Sequence, residues 1–157
     1  WVLFDALVGR RISAMGACIG AVVGLVAITP AAGFVSVGQS VFIGFVAAII
    51  SNLAVYYKQR TSLDDTLDVF PCHGVGGIVG MIMTGIFAKD VGLVNGETTT
   101  FLYHLLALVI VSAYTFFGSL IIYKITGLIT KMRVTKEEER IGLDISQHSE
   151  SLVTTTN

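Results

Sequence analysis

The sequence predicts an all-α fold, a polytopic membrane helix bundle, on three observations. Of its 157 residues 54% are hydrophobic and 13% charged, about half the ~25% charged fraction of an ordinary soluble domain. Three windows carry no Asp, Glu, Lys or Arg: Ile12 to Tyr57 (46 residues), Val69 to Ala88 (20) and Thr98 to Tyr123 (26). A hydrocarbon core of ~30 Å takes about 20 apolar residues in helix. The basic residues, finally, sort almost entirely to one side of the spans those windows define.

Taken in order, Trp1 to Leu7 is apolar but too short to cross, and reads as the end of a preceding span. The first window holds two spans, at about 12–31 and 38–57. Their break falls at Thr29-Pro30-Ala31-Ala32-Gly33, because Pro removes a helix donor and clashes with the turn before it, and Gly33 and Gly38 tolerate a reversal. A third span covers 69–88 and a fourth 101–130, the latter running past the headgroups. With four full spans, Arg10, Arg11, Lys58, Arg60, Lys124, Lys131, Arg133, Lys136 and Arg140 fall on one side and Lys89 alone on the other. The positive-inside bias then places the C-terminus in the cytoplasm of a multi-pass protein of the cell (plasma or inner) membrane. Residues 1–130 form the transmembrane part and 131–157 a cytoplasmic tail. In the tail, Glu137-Glu138-Glu139 suits the positive end of a short helix that Gly142 would stop. Leu152 to Asn157 carries no pattern, so disorder is the default there.

Composition excludes several classes. A net charge of −1 leaves no overall basic surface for nucleic acid. Cys18 and Cys72 lie far apart in apolar stretches and read as free thiols. No nucleophile and base share a motif and no phosphate loop is present, so neither an enzyme nor a cofactor is indicated. A metal site at Cys72-His73 would need further ligands that no neighbouring Cys or His supplies. The start at Trp1, without a basic stretch before it, suggests a piece of a longer chain.

The third span carries the chemistry, in Asp68-Val69-Phe70-Pro71-Cys72-His73-Gly74-Val75-Gly76-Gly77-Ile78-Val79-Gly80 and on to Thr84. An ionisable side chain in a membrane helix is costly and tends to face a cavity or a partner, which makes His73 a functional candidate. Gly77, Gly80 and Thr84 follow it at i+4, i+7 and i+11, and Gly76, Gly80 and Thr84 make a small-xxx-small ladder. Such a stripped face either admits a neighbouring backbone or borders a narrow conduit. Asp68 is the candidate helix cap and vestibule residue. The alternative is a histidine hydrogen-bonded inside a bundle, with the glycines serving packing alone. A neutral imidazole offers one donor and one acceptor, enough to guide a small polar molecule. His104 reads as an interfacial residue, and Ser13, Ser40, Ser51 and Ser112 as bonding back to their own helices.

Through these residues the chain resembles the ammonium transporter family (Amt/Mep, with the Rh proteins as distant relatives). Gly24 to Val35 and a tail block with Arg133, Glu138, Gly142, Leu143, Asp144, His148 and Glu150 extend the resemblance. It implies the second half of an inverted-repeat transporter, lacking the N-terminal half, with ammonium or ammonia passing a narrow hydrophobic pore. His73, Gly76, Gly77, Gly80 and Thr84 would lie on that pathway, and the tail residues would be regulatory. The resemblance further implies a homotrimer in the lipid bilayer and a PII-class signalling protein as partner. The family's His-Gly-Glu-Ala-Tyr ending is replaced by His148-Ser149-Glu150-Ser151-Leu152. That departure leaves open a second reading, a sensing or regulatory membrane module that does not conduct.

Overall fold

The computed structural model describes residues 1–151; the expectation for residues 152–157 lies outside the described residues. The helices are α1 (Val2–Leu7), α2 (Ala14–Ile28), α3 (Val37–Lys58), a π-helical turn at Phe70–Val75 running directly into α4 (Gly76–Phe87), α5 (Thr98–Ile129), α6 (Lys136–Ile141) and α7 (Leu143–His148). A 3-10 turn at Leu93–Asn95 precedes α5. The chain divides into two compact units, Trp1–Val111 and the residues from Ser112 onward, with the division inside α5.

Among the described residues, three helical stretches are long and apolar enough to cross a membrane: Val37–Lys58, Phe70–Phe87 and Thr98–Ile129. The fourth expected span is shorter than its window. Helix α2 has 15 residues, about 22 Å at 1.5 Å per residue. Ser13 caps its start, its side chain accepting from the Gly16 amide at 2.9 Å, so Ile12 and Ser13 lie outside. At the other end, residues 29–33 form a turn in which Gly33 takes φ +85°. Gly38, expected to share in the reversal, instead sits in the first turn of α3. That helix starts with a capping box in which Ser36 Oγ accepts from the Gln39 amide and Gln39 Oε1 from the Ser36 amide.

The first unit is built on α2, α3 and the π turn with α4. Its core is Val23, Ala27, Ala31, Ile43, Ala47, Val55, Cys72 and Val79. Small residues let these backbones come close, as membrane interfaces require when hydrocarbon is the solvent. At Gly80 the approach is closest: an added Cβ would lie 2.2 Å from the Ala27 carbonyl oxygen. The unit has two distinguishable ends. At one, the Lys89 amide donates to the Phe34 carbonyl at 2.7 Å, joining the connection after α2 to that after α4. At the other, the Arg10 guanidinium donates to Asn52 and Lys58 pairs with Asp68.

Helix α5 has 32 largely apolar residues and none buried; Phe101 and His104 near its start pack at Gly85, and the remaining apolar surface is of the kind that meets hydrocarbon or another chain. In the second unit, Thr135 and Glu138 form a capping box that starts α6. Gly142 ends it at φ +104°. The chain then re-enters helix as α7, which the sequence reading did not anticipate, with Ser146 Oγ donating to the Gly142 carbonyl at 2.9 Å.

Candidate functional site

His73 is the fourth residue of the π turn that starts at Phe70. A π turn hydrogen-bonds i to i+5 and so carries an extra residue relative to α-helix. That extra residue changes how His73 lines up with the α4 residues, and the stripped face read from α-helical spacing has a packed part and an open part.

One part is packed. Gly76 faces Val23, Val26 and Ser51, its Cβ position 3.5–3.7 Å from their side chains. Gly80 abuts the Ala27 backbone, and Thr84 is 3% exposed, its hydroxyl donating back to the Gly80 carbonyl at 2.7 Å. These three residues form the α4 seam against the rest of the first unit. The other part is open. His73 is exposed and Gly77 has nothing within 4 Å of its Cβ position. His73 lines a cavity of about 650 Å³ with Lys58, Leu63, Asp64, Asp65, Val69, Phe70 and Gly74.

The cap of the segment is Asp65, which corrects the expectation for Asp68. The Val69 and Phe70 amides each donate to the Asp65 carboxylate at 2.9 Å. These bonds, the Phe70 one first, hold the Asp65 carboxyl below the ordinary carboxylate range. Asp68 stands in the chain where a cap could, but it sits in the left-handed region at φ +53° and its carboxylate pairs with Lys58 Nζ at 2.6 Å instead. The helical segment begins at Phe70, so it does not extend back past Asp68, and His73 stands near one end of it.

His104, in α5, has Nδ1 2.9 Å from the Thr100 carbonyl and packs where Gly85 leaves room. Ser40 bonds back to its own helix. Ser13 is a cap instead, and buried Ser51 finds no partner for its hydroxyl among the described residues. Cys18 is exposed and Cys72 buried, both free.

Sequence reasoning missed a buried polar cluster in the first unit. Asn52, 2% exposed, donates to the Asp5 carboxylate at 3.0 Å and accepts from Arg10 at 2.6 Å. The Arg10 guanidinium also lies 4.4 Å from the Tyr56 ring centroid. The signal was available, since an Asn inside an apolar window is as much an exception as a histidine, but a search for charges passes over it.

In the second unit the tail residues form a local structure. The Glu138 carboxylate accepts from the Thr135 amide and hydroxyl at 2.7 Å and from Gln147 at 3.0 Å. The Thr135 hydroxyl is the main cause that holds its carboxyl below the ordinary range. Arg133 pairs with Glu139 at 2.9 Å. Leu143 and Asp144 open α7, His148 closes it, and the Glu150 amide donates to the Asp144 carbonyl at 2.9 Å.

Residues 1–153 match the family described as "Ammonium Transporter Family". The chain is 42% identical over 160 residues to a protein described as "Putative ammonium transporter" from Methanothermobacter thermautotrophicus, covering 96% of this chain and 39% of the relative. It is 36% identical over 158 residues to the "Ammonium transporter" of Bacillus subtilis, with the same two coverages. The crystal structure of Candida albicans Mep2 superposes with a TM-score of 0.78 at 39% identity, over 88% of this chain and 33% of that one. Saccharomyces cerevisiae Mep2 gives a TM-score of 0.79 at 34% identity, over 87% and 34%. The chain thus spans about two fifths of the length of the curated relatives it matches. Family match, sequence relatives and solved structures agree with the helical architecture: the chain belongs to the ammonium transporter family.

Proposed function

We propose that this chain forms the C-terminal part of an ammonium transporter and contributes His73 to a narrow hydrophobic path for ammonium or ammonia. The observation that carries the reading is the open face of the π turn. There the ionisable ring of a spanning segment stands at a cavity rather than in the packed seam, with Gly77 adding no side chain beside it. In this reading Gly76, Gly80 and Thr84 shape the path from behind, by bringing α4 against α2. A neutral imidazole passes a small polar solute by donating at one nitrogen and accepting at the other.

The reading includes a topology. The 15-residue α2 serves as a fourth crossing, the set forms the second half of an inverted repeat, and the basic end with Arg10, Lys58 and Arg60 faces the cytoplasm together with the tail. Its path is completed by a first half supplied from outside the present residues. The assembly is a homotrimer, in which the uncovered apolar surface of α5 meets lipid or a neighbouring subunit.

The test is methylammonium uptake by a full-length transporter that carries these residues. His73→Ala is expected to abolish uptake or change its dependence on membrane potential while the protein remains folded in detergent. Unchanged, concentrative uptake would remove His73 from the path.

A further inference from the structure

The segment that carries His73 is fastened at its start by side chains from outside it. Lys58, the last residue of α3, places Nζ 2.6 Å from the Asp65 carbonyl and 2.6 Å from the Asp68 carboxylate. Both members of the Lys58–Asp68 pair are largely shielded, at 14% and 17% side-chain exposure, so their attraction is less screened than that of a surface pair. Between those two acceptors the chain makes a tight turn, with the Asp68 amide donating to the Asp65 carbonyl at 3.1 Å and Asp68 at φ +53°. A non-glycine residue in that region needs surrounding contacts to hold it there. From this turn the next segment departs: the Asp65 carboxylate takes the Val69 and Phe70 amides, and the Asp68 carbonyl takes the Cys72 amide.

The consequence falls on His73, one residue after Cys72. A π turn is less favourable than α-helix and occurs in short pieces, so its persistence depends on what fixes its first residues. Relaxation to α-helix would remove the extra residue and rotate His73 relative to α4, whose own position is set by the Gly80–Ala27 contact. Lys58 and Asp65 also line the same cavity as His73.

We propose that Lys58 and Asp65 are positioning residues, which hold the Asp65–Asp68 turn and thereby keep the π turn in the register that presents His73 to the cavity. The inference rests on the reading of His73 as a path residue, and its test separates the two.

The experiment uses the full-length transporter in membranes, with Lys58→Met, Lys58→Arg and Asp65→Asn. Acylation of His73 by diethyl pyrocarbonate is followed by mass spectrometry against His104 as internal reference, alongside the concentration dependence of methylammonium uptake. Lys58→Met and Asp65→Asn are expected to change the His73-to-His104 labelling ratio several-fold. Maximal uptake should fall about tenfold or more, as misplacement by an ångström allows, with a smaller change in KM. Lys58→Arg, which keeps a cation there, is expected to restore both. Should Lys58→Met fail to give a monodisperse peak on size exclusion, Asp65→Asn, nearly identical in shape, carries the same test. Wild-type labelling in folded variants would overturn the proposal whatever happens to uptake. Altered labelling with wild-type uptake would uphold the positioning role and overturn the path reading of His73.

Discussion

The packed seam of the Phe70–Phe87 stretch and the open face beside His73 put glycine to opposite use. In α4, Gly76 and Gly80 vanish into a seam against α2, and Thr84 closes its own hydrogen bond inside it. In the π turn, Gly74 makes room for the Phe70 ring while His73 stands open, and just beyond it Gly77 has nothing over its Cβ position. A glycine in a membrane helix therefore has no single meaning. Where a backbone lies opposite, its absence of side chain is a packing requirement; where nothing lies opposite, it leaves space.

Substitutions at the two kinds of glycine break or sharpen that contrast. The largest effect belongs to Gly80→Ala. Its methyl would sit 2.2 Å from the Ala27 carbonyl oxygen, and since backbone must move to admit it, destabilisation of about 3 kcal/mol is expected. The readout is the midpoint of thermal unfolding in detergent. A wild-type midpoint would mean that α2 and α4 do not meet as closely as described.

Gly77→Ala should go the other way in stability, gaining roughly 0.5–1 kcal/mol because alanine is the better helix former and nothing obstructs it. Methylammonium uptake by the same variant of the full-length transporter is expected to fall. Faster uptake, or loss of stability, would show that this face is covered by protein rather than lining a path.

The smallest effect lies outside the spans, at the capping box of α6. The folded-state pKa of Glu138 is depressed, chiefly by the Thr135 hydroxyl. Its contribution to the tail is therefore complete above the unfolded value of ~4.3 and is lost as pH falls through the lower folded value. Amide exchange at residues 138–142 of the intact protein, corrected for the intrinsic pH dependence, should lose protection in that acidic window. Glu138→Gln should remove most of that pH dependence. Protection that is flat with pH in the parent would mean the box does not hold α6.

Much of this architecture was legible in the residues, because the constraint that dominates a membrane chain is one-dimensional. Charge-free length marks an apolar helix, and Pro30 with Gly33 marks the reversal between two of them; neither needs a partner to be read. Thr135 and Glu138 likewise specify the start of α6 locally, through a side-chain and backbone exchange over four residues. The legibility ended where length alone was used as a ruler. The first window assigns residues 12–31 to a span, but Ser13 caps the start by taking the Gly16 amide and the 29–33 turn takes the Val26 and Ile28 carbonyls, so α2 is 15 residues.

The sequence by itself determined that the chain is a set of apolar helices, where they turn, and that His73 is an ionisable exception inside one of them. Only the tertiary structure decided which glycines touch a backbone and which do not, because that depends on α2 lying against α4. It also decided that Asp65 rather than Asp68 caps the His73 segment. The two carboxylates are three residues apart and chemically alike, and the choice between them was made by Lys58, which reaches in from α3 and binds Asp68 while leaving the Asp65 carboxylate to the Val69 and Phe70 amides. The π turn belongs to the same class. Phe70–Val75 holds Pro71 and Gly74 and no strong helix former, and the π turn lies between first amides taken by Asp65 and a following helix packed at the Gly80 seam.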